Sequence, residues 1–143
     1  MKIIPGVGTD TITFGMARDD VDRLLGAPET VTPYEDLPGY PSARENRTYG
    51  QLDLLTTHAH GVIAITADCA MAELTLWGHP LAGCDMDAII ELLQQADGQI
   101  EVSDRDQWGD FDIYLAGTGL SFAMSDDGLV AVEVRQPDWR DLA

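Results

Sequence analysis

Basic residues are scarce in this chain: 8 Lys and Arg stand against 25 Asp and Glu in 143 residues, a formal net charge of −17. That balance repels nucleic-acid phosphate and anionic lipid, so neither nucleic acid nor membrane is expected as a partner. Cysteine is almost missing. Cys69 and Cys84 are too few for a disulfide framework and are expected as small buried hydrophobes in a reducing compartment. No apolar run of signal-peptide length follows Met1 and Lys2, because Pro5 and Gly6 intervene at once. None approaches the roughly 20 residues of a membrane span. These absences predict a cytoplasmic location.

Signatures of chemistry are missing as well. His58 and His60 are two apart, so on one strand both would reach a single metal ion, but zinc needs further ligands. His79, the third histidine, is not tied to the pair, and a polar hairpin tip is the reading preferred for 58–60. The stretch Asp104 to Asp110 resembles a calcium loop in its acid spacing and in Gly109. Its fifth position is Trp108 and its twelfth is Leu115, where a bidentate Glu is required. Pro5-Gly6-Val7-Gly8 lacks the third glycine and the following helix of a phosphate loop. Ser121 has no nucleophile-elbow context, and neither cysteine has a histidine partner in the pattern. Hence no metal, no cofactor and no catalytic residue is expected, and the chain does not read as an enzyme.

What is present is enough apolar material for a core, 45% of residues, patterned twice. The length suits a single domain over 1–143. The first half runs Ile12-Thr-Phe-Gly15-Met16, an amphipathic stretch ending Leu24-Leu25-Gly26, then Leu52-Asp-Leu-Leu55 and Val62-Ile-Ala-Ile65. Gly83, Ile89, Leu93 and Leu120 in the second half match Gly15, Val21, Leu25 and Leu52, and Cys84 takes the place of Met16. The fold class this predicts is α+β: two tandem repeats, each a helix followed by an antiparallel meander, with the helices packed on one side of one sheet. Repeat one spans about 9–77 and repeat two about 78–137.

In detail, residues 1–14 read as a short strand or arm, Ala17–Leu25 and Met86–Gln95 as helices, and 29–48 as a Pro-rich looped insertion. Strands are expected over Arg47–Thr57, Gly61–Ala67, Ala72–Trp77, Ile100–Val102, Phe111–Leu115, Leu120–Met124 and Leu129–Arg135. Asp85 is placed to cap the second helix, and Asp127-Gly128 to turn a hairpin. The expected core is Val21, Leu24, Leu25, Ile63, Ile65, Ile89, Leu92, Leu93, Phe122, Val130 and Val132.

The segment Phe14-Gly-Met-Ala-Arg-Asp-Asp-Val-Asp-Arg-Leu-Leu-Gly-Ala-Pro28 resembles the opening helix of the beta-lactamase inhibitory protein family. It is similar also to the helix opening of small lipoproteins that assemble outer-membrane barrels. In the inhibitor family the helix-and-sheet unit occurs twice in tandem. The second half here departs from the motif, with Ala82-Gly83-Cys84 in place of Phe-Gly-Met. The resemblance implies a binding scaffold with a concave sheet face. It does not imply lactamase inhibition or a lipoprotein role, since no secretory signal or lipid-acceptor cysteine accompanies it.

The acids are unevenly spread, with 14 of the 25 after residue 84. The densest run holds Asp97, Glu101, Asp104, Asp106, Asp110 and Asp112, interrupted by Trp108. A charge run is ordinarily a solvated edge, but an aromatic amid charge is a common interface anchor. These seven residues are the expected partner-binding surface, with Tyr34 and Tyr40 of the insertion as secondary contacts. The expected function is a cytoplasmic protein-binding inhibitor, a bacterial immunity protein whose acidic surface neutralises a basic partner, a cognate secreted toxin such as a nuclease. The alternatives are a structural or assembly adaptor, and a carboxylate-based enzyme or small-ligand binder.

Overall fold

The computed structural model describes residues 1–33, 43–71 and 73–142. It is mostly sheet with two short helices, an α+β fold. In chain order come β1 (Lys2–Ile4), β2 (Gly8–Thr9), α1 (Arg18–Leu25), β3 (Thr30–Pro33), β4 (Arg44–Tyr49), β5 (Leu52–Thr57) and β6 (Gly61–Asp68). Then follow β7 (Thr75–Leu76), β8 (His79–Pro80), α2 (Met86–Leu93), β9 (Ile100–Val102), β10 (Phe111–Leu115), β11 (Leu120–Ser125), β12 (Gly128–Arg135) and a 3-10 turn at Trp139–Asp141.

Eight strands form one antiparallel sheet in the order β3-β4-β5-β6-β12-β11-β10-β9. Each helix thus precedes a four-stranded meander, and the meanders join where β6 pairs β12. Their registers correspond. Leu52 stands opposite Ala67 as Leu120 stands opposite Val134, and Leu55 opposite Ala64 as Ala123 opposite Ala131. Both β5–β6 and β11–β12 break register at the next residue, between Leu55 and Thr56 and between Ala123 and Met124. At the join Ile65 faces Val134 while Ala67 faces Val132, about a central Thr66–Glu133 pair.

The glycine before each helix has a structural cause. Gly15 turns the chain at φ 86° so that the Met16 carbonyl accepts the Val62 N–H at 3.0 Å, while Gly15 N–H donates to the Val62 carbonyl at 2.9 Å. Gly61 lies directly beneath, and a β-carbon there would overlap the Met16 carbonyl. In the second half Leu129 N–H donates to the Cys84 carbonyl at 3.0 Å, and Gly128 lies beneath that carbonyl. The Gly-Met and Gly-Cys pairs are therefore backbone clasps that tie each helix start to the strand closing its meander.

One core holds Val21 of α1, Ile89, Leu92 and Leu93 of α2, and the sheet residues Leu54, Ile65, Ile113, Phe122, Val132 and Val134. Asp85 caps α2, accepting from Ala88 N–H at 2.9 Å. On the opposite face a second cluster of Leu55, Ile63 and Ala64 is covered by Trp139 and Leu142 of the C-terminal segment.

Several expectations are corrected. The run 47–57 is not one strand; Gly50 and Gln51 turn it into the hairpin β4–β5. Residues 30–33, read as loop, form the edge strand β3, where Pro33 needs no N–H partner. The strand expected over 72–77 is only β7, and it belongs to a separate sheet ordered β2-β1-β7-β8, so the described residues form two sheets. Leu24 is 56% exposed and Leu25 half-buried, because a helix of 8 residues on a sheet buries a narrow face centred on Val21. Val130 is 47% exposed because the register break moves it to the outer face. Cys69 and Cys84 are free and half-buried.

Tyr49 ties α1 to β4. Its hydroxyl donates to Asp22 Oδ1 at 2.6 Å, and Arg47 lies 3.5 Å from the same oxygen. Burial, reinforced by this hydrogen bond and opposed by Arg47, pushes the phenol up to about 12 from its ordinary 10.0. The neutral phenol is thus favoured in the folded chain. Its contribution to stability is present below pH 10 and is lost as pH rises from there through 12. In an ultraviolet titration Tyr49 is expected to ionise near the top of that window, and Tyr49→Phe to flatten the alkaline fall in stability. An unchanged alkaline limb in Tyr49→Phe would contradict the assignment.

Candidate protein-binding surface

The loop between β9 and β10 is built around Asp106. Its Oδ1 accepts from Trp108 N–H at 2.8 Å and Asp110 N–H at 2.9 Å, and its own N–H donates to the Asp110 carbonyl at 2.9 Å. An Asp side chain that caps following amides in this way holds a turn without help from the core. Arg105 fastens the loop to the β11–β12 hairpin. It donates to the Gly109 carbonyl at 3.0 Å and to Asp126 Oδ1 at 2.9 Å, and lies 4.4 Å from the centre of the Phe111 ring. Ser103 Oγ accepts from Asp112 N–H at 2.8 Å at the loop's base. The result is a pinned loop whose tip, Trp108, is 72% exposed.

Beside this loop opens a recess of about 350 Å³. Ala123 and Val130 form its apolar floor, buried Phe111 and Met124 border it, and Asp104, Asp106, Asp110 and Asp112 line it with carboxylates. Tyr114 lies on the same outer side of β10 and donates to Asp112 Oδ2 at 3.1 Å. Burial first, then the Asp112 charge and that hydrogen bond, push the Tyr114 phenol up, so it stays neutral near pH 7.

Five of the expected site residues, Asp104, Asp106, Trp108, Asp110 and Asp112, are therefore brought together. Glu101 sits on the edge strand β9 opposite Tyr114, further along the sheet. Asp97 precedes β9 at its far end, where Gln99 pairs with Ala116, away from the loop. Charge on a three-residue edge strand also discourages pairing with a second sheet, a role Glu101 fills without a partner. Tyr34 and Tyr40 lie outside the described residues.

Sequence reading missed the apolar floor and the Arg105–Asp126 fastening. The sequence gives no sign of the floor, because Val130 stands in phase with Val132 and Val134 and only the register break turns it outward. Contacts between distant hairpins leave no periodic mark, so Asp126 had none.

His58 and His60 are exposed on the β5–β6 turn, and among the described residues no group of three or more His, Cys, Asp or Glu is placed to hold a metal ion. Burial pushes both thiols up, aided by Asp68 at Cys69 and Asp85 at Cys84, which makes them weak nucleophiles at neutral pH. No helix among the described residues is long and apolar enough to cross a membrane. The chain matches no protein-family model, no curated protein and no solved structure.

Proposed function

We propose that this chain is a non-catalytic, protein-binding inhibitor of the immunity-protein kind, acting in a bacterial cytoplasm on a cognate secreted toxin. The observation that carries the reading is Trp108, held 72% exposed at the tip of a loop pinned by Asp106 and Arg105 and surrounded by carboxylates. An exposed aromatic on a preorganised loop costs little entropy to bury, and fully desolvated aromatics anchor interfaces. The acidic rim fits a basic partner, for which the nucleic-acid-binding surface of a nuclease toxin has the right sign.

The halves are, in this reading, tandem repeats of one helix-and-meander unit. The matching registers, the shared position of the register break and the paired clasps at Gly15 and Gly83 support a duplication. Duplication of a sheet enlarges a surface without requiring a reaction, which suits a binder.

The test is capture of a partner from the native cells, followed by surface plasmon resonance at two salt concentrations. Trp108→Ala is expected to speed dissociation by roughly tenfold or more, since interface anchors act on the off-rate. Neutralising Asp104 and Asp110 to Asn is expected to slow association and flatten its salt dependence. Co-expression should relieve the partner's toxicity. A captured partner with no toxic activity would favour the adaptor instead, and kinetics unchanged in both variants would remove this surface as the interface.

A further inference from the structure

The chain itself displays an occupant on half of its outer sheet face. Over β4–β6, Trp139 packs on Leu55, Ile63 and Ala64, with Leu142 beside it. Three guanidinium groups lie over the ring: Arg135 at 4.5 Å and Arg44 at 5.4 Å from its centre, reaching it from the sheet, and Arg140 of its own segment at 5.5 Å. Buried Arg44 also donates to the carbonyls of Trp139, Arg140 and Leu142 at 3.0, 2.7 and 2.8 Å, clamping the segment down. An aromatic ring on a small apolar patch, held by charged groups beside that patch, is therefore a complex that this sheet face is shaped to make.

In the other half the corresponding patch has no such cover among the described residues. By register, Leu55 corresponds to Ala123 and Ala64 to Ala131, and Ile63 to Val130, the residue before Ala131. Val130 is 47% exposed there, whereas Ile63 is fully buried. The flanking charges are inverted. Asp110, two residues before Asp112, takes the place Arg44 holds two residues before Asn46, since Asn46 faces Leu55 and Asp112 faces Ala123. Asp68, opposite Ala131, takes the place of Arg135, opposite Ala64. The smaller Ala123 leaves more depth than Leu55. Recesses of about 350 and 170 Å³ open on the two sides of Val130, the second bounded by Asp68.

We infer that the patch of Ala123, Val130 and Ala131 is the docking site for an aromatic side chain of a protein partner flanked by Arg or Lys. The apolar floor takes the ring, as its counterpart takes Trp139, and Asp110 and Asp68 take cations where Arg44 and Arg135 supply them in the other half. This rests on the protein-binding reading and names the partner's chemistry at that surface. A second copy of this chain is disfavoured as occupant, because two chains of −17 repel.

The probe is an acetylated, amidated Arg-Trp-Arg peptide, titrated into the full 15N-labelled chain and followed by amide chemical shifts. Saturable shifts are expected at Ala123, Val130, Ala131 and Asp110. Glu-Trp-Glu and Arg-Ala-Arg should each bind about tenfold more weakly, because one loses the charge match and the other the ring. Val130→Arg, at an exposed position that leaves the core intact, should abolish the shifts, and Asp68→Asn with Asp110→Asn should weaken binding about tenfold. No shifts at these amides with millimolar peptide, equal binding of Arg-Ala-Arg, or indifference to Val130→Arg overturns the site. Shifts of the same amides on concentrating the chain alone would make a second copy the occupant and overturn it too. If a toxin is captured and inhibited while the peptide fails to dock, the docking site falls and the inhibitor reading stands. If the peptide docks and no captured partner is a toxin, the inhibitor reading falls alone.

Discussion

Leu93→Ala is expected to lower the free energy of unfolding by about 2–5 kcal/mol, and Leu25→Ala by clearly less. The two leucines occupy matching places in the sequence pattern, one in each helix, so sequence alone assigns them equal cost. Their surroundings differ. Leu93 is wholly enclosed in the core beside Ile89 and Leu92, and truncation there leaves a cavity that packed neighbours fill only partly. Leu25, at the last turn of α1, is half-buried, so its truncation opens onto solvent and the cavity cost is small. Chemical denaturation of both variants decides the matter. Equal losses would show that α1 is packed as deeply as α2, against the burial seen here.

Gly61→Ala is expected to cost about 3 kcal/mol or more, and Gly50→Ala only about 1 kcal/mol. Gly61 opens β6 just after a hairpin turn and Gly50 sits within one, both with positive φ, 66° and 59°, so both substitutions carry the strain of a left-handed residue. Gly50 has open space where its β-carbon would go. At Gly61 the new methyl would overlap the backbone carbonyl of Met16, a neighbour that cannot rotate away. Relief requires the strand and the loop to part, stretching the reciprocal hydrogen bonds of Gly15 and Met16 with Val62. Thermal unfolding of the pair is the measurement. A Gly61→Ala variant no less stable than Gly50→Ala would mean that the clasp is dispensable.

Much of the architecture was legible because helix and strand periods are local. Val21, Ile89, Leu92 and Leu93 announced the helix faces at a spacing of three and four, and Leu120, Phe122 and Met124 announced β11 by alternation. Gly15 and Gly83 marked both clasps, since only glycine takes that turn at so little cost. Edges were harder. β3 is four exposed residues, Pro33 among them, with no buried alternation to betray it, and β7 is two residues long. Leu24 and Val130 misled for related reasons: apolar character sets a preference for burial, but a short helix and a register break decide which residues obtain it.

For the candidate site the division is sharper. By itself the sequence determined the charge, the placement of Trp108 among six acids and the absence of familiar catalytic motifs, all of which are properties of residues near one another in the chain. Only the tertiary structure decided that Asp97 stands apart from the loop, that Arg105 fastens it to Asp126, and that Val130 lies exposed between two recesses. It alone also set Arg44 against Trp139 across most of the chain's length. The physical reason is that a sheet joins residues by register, and register is settled by every strand packing on the core at once rather than by any one segment.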